Sequence, residues 1–299
     1  MFTRLLVPLD GTPESNAALP LARTVALATR GSVVLLRVLP ERDASDNPAR
    51  VAEETEALTR TATELAGSGL QVASIVRQGE PADEILKQVQ LQRVDLIVMR
   101  THGRVGLERA VIGSVAERVL THTNVPVMTL RPGGRRVSHI ERLVVPVGGS
   151  PGGAVALATA VGLAKATDAT IHLVQVVVPI PVQAWAAYSG MTYYDPAWDE
   201  EALNSAKSYV TGLVGRLRDA GVKASGDAHM VPDVARGIVD VADKLSADLV
   251  VMSTHARTGV ARAVLGSAAD ALVRTAHCPV LLIHRPDIAS AQQSPPPNA

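Results

Sequence analysis

One stretch of this sequence occurs twice, and that repetition limits what the chain can fold into more than any other feature. Residues Asp95–Leu130 read DLIVMRTHGRVGLERAVIGSVAERVLTHTNVPVMTL, and Asp248–Leu282 read DLVVMSTHARTGVARAVLGSAADALVRTAHCPVLL. An apolar run, a Thr-His pair, a Gly-Ser dipeptide and a second apolar run recur in one order, so two copies of one domain are expected. In the first copy Leu96–Met99 is too short for a membrane span and suits a strand buried on both faces. Gly103, Gly106 and Gly113 follow, residues that permit backbone geometry bulkier ones resist, and Gly113-Ser114 opens a helical pattern with Val115, Val119 and Leu120 on one side. Strand, glycine loop and helix start make an anion-binding arrangement, because the first amides of a helix lack intrahelical partners and the dipole favours negative charge there. The alternative is that these glycines only turn the chain.

Upstream, Arg4–Leu9 (RLLVPL) is an apolar strand ending at Asp10-Gly11, and Pro13–Thr29 carries Ala17, Ala18, Leu21, Ala22, Val25 and Ala26 at helical spacing. Ser32–Leu39 is a second strand, Val51–Ala66 a helix with Leu58, Ala62 and Leu65 on one stripe, Leu70–Arg77 a third strand, and Pro81–Leu91 a helix opened by proline. Five strands alternating with four helices predict a mostly parallel α/β sheet covered on both faces. Ligands of such sheets bind at the carboxyl ends of the strands, where strand order reverses. Asp10 follows strand one and the glycine loop follows strand four, so both are expected at that edge.

The order then restarts. Residues 1–131 form the first domain, the Gly-, Pro- and Arg-rich 132–142 a linker, 143–286 the second domain, and 287–299, ending SPPPNA, a disordered tail. Pro8 and Pro146 are offset by 138 residues but Asp95 and Asp248 by 153, so the second half carries about fifteen extra residues. Most fall in Pro179–Trp198, which holds both tryptophans and three of the four tyrosines. This insertion reads as a lid, a partner surface or, preferably, a cover for an apolar patch.

Composition narrows the function. Lys and Arg number 29, as do Asp and Glu, and aromatic residues are 2% of the chain, so neither the basic face nor the stacking platform of a polynucleotide binder is expected. No uncharged apolar run of about 18 residues and no leader-like N-terminus is present, so no membrane association is expected and the protein is assigned to the cytoplasm. The single cysteine, Cys278, excludes an internal disulfide framework and reads as a buried, inert thiol. His102 and His255 occupy equivalent loop positions without further ligands at metal spacing, and no metal site is assigned. Thr12 reads as a cap for the first helix. No histidine pairs with Ser15 to make a hydrolase triad, and neither GxxxxGK(S/T) nor GxGxxG opens the first strand-helix turn. No catalytic residue is assigned.

With the strand-one aspartate, the THGR loop and the Gly-Ser helix start assembled, the chain resembles the universal stress protein family in its tandem two-domain form. The resemblance covers residues 1 to about 285 and implies two five-stranded, Rossmann-like domains of the adenine nucleotide alpha hydrolase-like kind. ATP-binding members carry an aspartate after strand one, a small apolar residue on strand two, and a loop G-2x-G-9x-G-(S/T). Here those positions are Asp10, Val38, Arg100 in place of the first glycine, Gly103, Gly113 and Ser114. The resemblance implies Asp10 and Val38 near adenine and ribose, and Gly103, Gly113 and Ser114 around the phosphates. Arg100 either adds a charge-assisted phosphate contact, the favoured reading, or fills the groove. In the second half Gly148, Ser253 and Ala256 replace the aspartate and both loop glycines, while Val176, Gly266 and Ser267 remain, so nucleotide binding is expected in the first half only. Arg104 and Arg257 are read as phosphate contacts, interface bridges or solvated side chains.

The expected protein therefore binds ATP, with Mg2+ as the accompanying ion, in domain 1 and acts as a nucleotide-responsive stress or regulatory protein. The alternatives are a nucleotide-free structural or interaction protein and a slow ATPase, which lacks an evident base. The final strands of the halves, Val125–Leu130 and Pro279–Ile283, are expected to pair and remove two exposed edges, as family members do on dimerising. A homodimer of the whole chain remains open.

Overall fold

The computed structural model describes residues 1–40, 48–101, 112–148, 151–179, 195–254 and 265–284, the side chains of 151 and 152 excepted. In the first half β1 (Arg4–Leu9), β2 (Ser32–Leu39), β3 (Val72–Gln78), β4 (Leu96–Arg100) and β5 (Val127–Leu130) alternate with α1 (Leu19–Thr29), α2 (Pro48–Ala66), α3 (Pro81–Leu91) and α4 (Ser114–His122). In the second, β6 (Arg142–Pro146), β7 (Thr170–Val177), β8 (Ala224–Met230), β9 (Leu249–Ser253) and β10 (Val280–Ile283) alternate with α5 (Pro151–Thr167), α6 (Ala197–Asp219), α7 (Val234–Lys244) and α8 (Ser267–Thr275).

All ten strands belong to one sheet in the order β3-β2-β1-β4-β5-β10-β9-β6-β7-β8. Pairing within each half is parallel, and the halves meet through antiparallel β5 and β10, with Met128 opposite Leu281. The anticipated pairing of the two final strands is thus realised inside one chain, and it merges two five-stranded sheets into a continuous ten-stranded one. The physical reason is edge protection: both strands are buried along their length and would otherwise present unpaired amides and carbonyls.

Strand alternation assigns each apolar side chain to one of two layers. Leu5, Val7, Val33, Leu35 and Val98 pack beneath α1, α2, α5 and α6, whereas Leu6, Val34, Leu36 and Ile97 pack beneath α3, α4, α7 and α8. The first layer runs through both halves, since α1 and α5 pack together over the junction. The helix expected over residues 13–29 is divided into a 3-10 turn, Ser15–Ala18, and α1. Pro20 in the first turn of α1 has no N–H to continue a helix from residue 16, which accounts for the break.

Asp95 and Asp248, which open the repeated stretch, turn out to be clamps at the amino edge of the sheet. Asp95 accepts from the Thr3 amide at 2.7 Å, the Thr3 hydroxyl at 2.6 Å and the Arg4 amide at 3.0 Å, and Asp248 accepts from the Glu141 and Arg142 amides, both at 2.9 Å. Each ties the start of the fourth strand of its half to the start of the first.

Candidate functional site

Strand order in the first half reverses between β1 and β4, so the crossovers leave on opposite sides and open a crevice at the carboxyl ends of these two strands. The register Leu5↔Leu96 and Leu6↔Ile97 brings the turn after β1 beside the end of β4. Thr101, buried just past β4, donates its amide to the Leu130 carbonyl at 2.9 Å and accepts the Gly113 amide on its own carbonyl at 2.7 Å. The start of α4 is thereby pinned to the end of β4, next to Asp10.

Gly113 is the N-cap of α4 with φ −68° and ψ 148°, an extended conformation open to any residue. Its identity as glycine is therefore not a backbone requirement, contrary to the expectation that glycines here supply unusual geometry. What it provides is a bare approach to the first turn. Being glycine, it brings no side-chain cap to that turn, whose first amides have no intrahelical partner.

Asp10 is exposed, and its Oδ1 accepts from the Thr12 amide at 2.9 Å and the Thr12 hydroxyl at 2.6 Å. Thr12 in turn accepts the Ser15 amide, on its carbonyl at 3.1 Å and on its hydroxyl at 3.2 Å, fastening the turn ahead of the 3-10 segment, whose N-cap is Glu14 and not Thr12 as expected. Beneath this turn lies a feature the sequence did not disclose. Arg37 at the end of β2 is buried, pairs with Glu54 of α2 at 2.9 and 3.0 Å, and donates to the Leu9 carbonyl at 3.4 Å. Its guanidinium lies against Gly11, where an added Cβ would come within 2.6 Å of Nη2. An arginine inside an apolar strand (SVVLLRVL) facing a Glu on the following helix was the available signal. Val38, next along β2, points to the other layer and packs against the cluster beneath α3 and α4.

Arg100 follows Val98 in alternation and so projects to the layer of α1, away from α4. It lines a cavity with Glu14, Arg131 and Arg136 whose walls do not include Gly113 or Ser114. Burial holds its pKa below the usual arginine range, opposed by Glu14 and Asp10 and reinforced by Arg136. Asp10, Val38, Gly113 and Ser114 thus all stand toward the carboxyl edge of the first-half sheet, and Arg100 projects from that edge to the other face. Gly103 lies outside the described residues, as do His102, Arg104, His255, Ala256, Arg257, most of the 179–198 insertion and the 287–299 tail.

The second half repeats the scaffold but not the chemistry. Gly266 caps α8 at φ −59° and donates to the Thr254 carbonyl at 2.9 Å, matching Gly113 and Thr101. Gly148 stands at the Asp10 position and Ser253 at that of Arg100. Gln175 replaces Arg37, with its Oε1 buried and unpartnered among the described residues. Gly237 of α7 sits where a Cβ would meet Val176 at 3.1 Å and Val231 at 2.6 Å, so the helix closes tightly on the equivalent of Val38.

A tandem α/β pair, joined edge to edge, with a glycine-started helix at each switch point, is the class of molecule these features define. The sequence profile of the universal stress protein family matches residues 1–131 and again 139–284, and the chain belongs to that family. Universal stress protein MJ0531 of Methanocaldococcus jannaschii is 33% identical over 147 residues, 49% of this chain and 83% of the relative. A universal stress protein from Archaeoglobus fulgidus superposes with a TM-score of 0.69 over 95% of this chain and 97% of its own, at 20% identity. A protein of Pseudomonas aeruginosa described as functionally unknown gives 0.70 over 97% and 95%, at 19% identity. Likeness at that level of identity establishes the two-domain fold alone. Among the described residues no helix is long and apolar enough to cross a membrane.

Proposed function

We propose that the protein binds ATP in the crevice of its first half and responds to occupancy as a cytoplasmic stress-regulatory protein. The observation that supports this reading is strand order: Asp10 follows β1, Val38 is near the end of β2 and Gly113-Ser114 starts α4 beyond β4, all toward the carboxyl edge of the sheet at the β1/β4 switch point. An exposed carboxylate suits a ribose hydroxyl donor, a half-buried valine suits the face of a purine, and free first-turn amides suit phosphate oxygens. Gly103 completes the phosphate loop in this reading. Arg100, turned to the other face, leaves the approach to α4 open while adding positive potential near Asp10.

Among the described residues no group of three or more His, Cys, Asp or Glu side chains could hold a metal. Mg2+ in this reading therefore enters on the nucleotide phosphates, whose charge it offsets. The second half, lacking the carboxylate at position 148, stays without nucleotide.

Calorimetry with MgATP tests the reading. One site per chain is expected in the wild type, and Gly113→Val, which the extended N-cap backbone accommodates, should abolish it by crowding the amides. Binding at two sites, or full binding by the variant, would refute the assignment. Absence of heat in the wild type would favour a nucleotide-free interaction protein.

A further inference from the structure

A cavity of about 200 Å³ lies where the halves join, beyond the ends of β5 and before β10, and its walls include Glu14, Arg100, Arg131, Arg135 and Arg136. Four guanidinium groups face one carboxylate. Arg135 is committed elsewhere, bonding the Ser246 and Ala247 carbonyls and Asp248 Oδ1. Arg131 makes one long contact, Nη1 to the Arg274 carbonyl at 3.5 Å, and its Nε is buried with no acceptor among the described residues. A guanidinium N–H that is desolvated without an acceptor is unfavourable, so this group is disposed to bind an anion. The rim is formed by backbone: Gly133 adopts φ +68°, and a Cβ at Gly134 would press on the Arg131 carbonyl at 3.1 Å and the His277 carbonyl at 3.3 Å.

We propose that this junction cavity binds an inorganic phosphate-type anion, phosphate or pyrophosphate, through Arg100, Arg131 and Arg136. Guanidinium forks match phosphate oxygens in paired hydrogen bonds, and three of them outnumber the carboxylates that act on Arg100, Glu14 and Asp10. Size favours a small ligand, since about 200 Å³ is below the roughly 300–1,000 Å³ typical of pockets for larger organic ligands. The anion would also relieve Arg100, whose charged form is disfavoured by burial and by Arg136. Because Arg100 and Glu14 belong to the first half, Arg131 and Arg136 to its exit, and Pro279 to the second half, occupancy ties the two halves together at their shared edge.

The test is calorimetric titration of the full-length protein, dialysed free of phosphate, with pyrophosphate and with inorganic phosphate. One site is expected, at least ten-fold weaker in Arg131→Met and in Arg136→Met and unchanged in Gly113→Val. Arg136 is exposed, so its variant folds even if Arg131→Met does not. No binding at millimolar anion would overturn the proposal, as would equal affinity in Arg136→Met and wild type. Loss of pyrophosphate binding in Gly113→Val, or its competition by ATP, would also overturn it by moving the anion to the nucleotide crevice. If ATP fails to bind while pyrophosphate does, the nucleotide reading falls and this site stands.

Discussion

The guanidinium beneath the Asp10 turn can be tested by adding a single methyl group. Gly11 has φ +82°, and an alanine Cβ there would lie 2.6–2.9 Å from the Arg37 guanidinium. Two effects oppose Gly11→Ala. The left-handed backbone costs a residue with a Cβ about 1 kcal/mol. The guanidinium must also move, and it is held by two bonds to Glu54, with side-chain exposures of 11% and 22%, so disturbing them costs a further ~1–3 kcal/mol. Gly69 supplies the control, since it has φ +85° with nothing within 4 Å of its Cβ position, so Gly69→Ala should show the backbone effect alone. Taking about 2–4 °C per kcal/mol, Gly69→Ala should lower Tm by about 2–4 °C and Gly11→Ala by about 4–16 °C in differential scanning calorimetry. Combining Gly11→Ala with Arg37→Met should show a coupling of about 1 kcal/mol, because the long apolar side chain yields where the pinned guanidinium does not. Equal losses in Gly11→Ala and Gly69→Ala, with additive behaviour of the double variant, would show that Arg37 does not support the turn.

Leu281 of β10 is fully buried at the junction in the layer common to both halves, so Leu281→Ala should cost about 2–5 kcal/mol and move a single unfolding transition as a whole. A first-half transition left unshifted in the calorimeter would contradict a continuous core. Burial pushes the Cys278 thiol up from 9.0 to about 11, so the folded state holds its proton where the unfolded chain releases it. Stability from this group is fully present below pH 9 and is lost as pH rises toward 11. Urea midpoints measured at pH 7 and pH 10 should therefore fall further in wild type than in Cys278→Ala, and parallel pH dependence in the two proteins would count against the burial argument.

Much of this molecule is written locally. Repetition, apolar runs of strand length and glycine or proline at their ends made the doubled βα order legible, and β1 and β2 begin and end where their sequences indicate, because buried parallel strands are continuous apolar runs. That Asp10, Val38, Gly113 and Ser114 lie toward one edge of the sheet was legible because each stands near the end of a strand or at the start of a helix, positions that chain order alone sends there. Side-chain direction was not. Arg100 occupies a loop-glycine position in the sequence, but strand alternation sends it to the opposite layer, into a cavity whose other arginines come from just beyond β5 and from the linker. Arg37 joins Glu54 and lies under Gly11 only because β2 is flanked by β1 and covered by α2. That the final strands of the two halves pair was legible as two apolar edges in need of cover, but the antiparallel sense of the β5–β10 seam and its register, Met128 opposite Leu281, come only from the assembled fold, where burying both free edges rewards the contact.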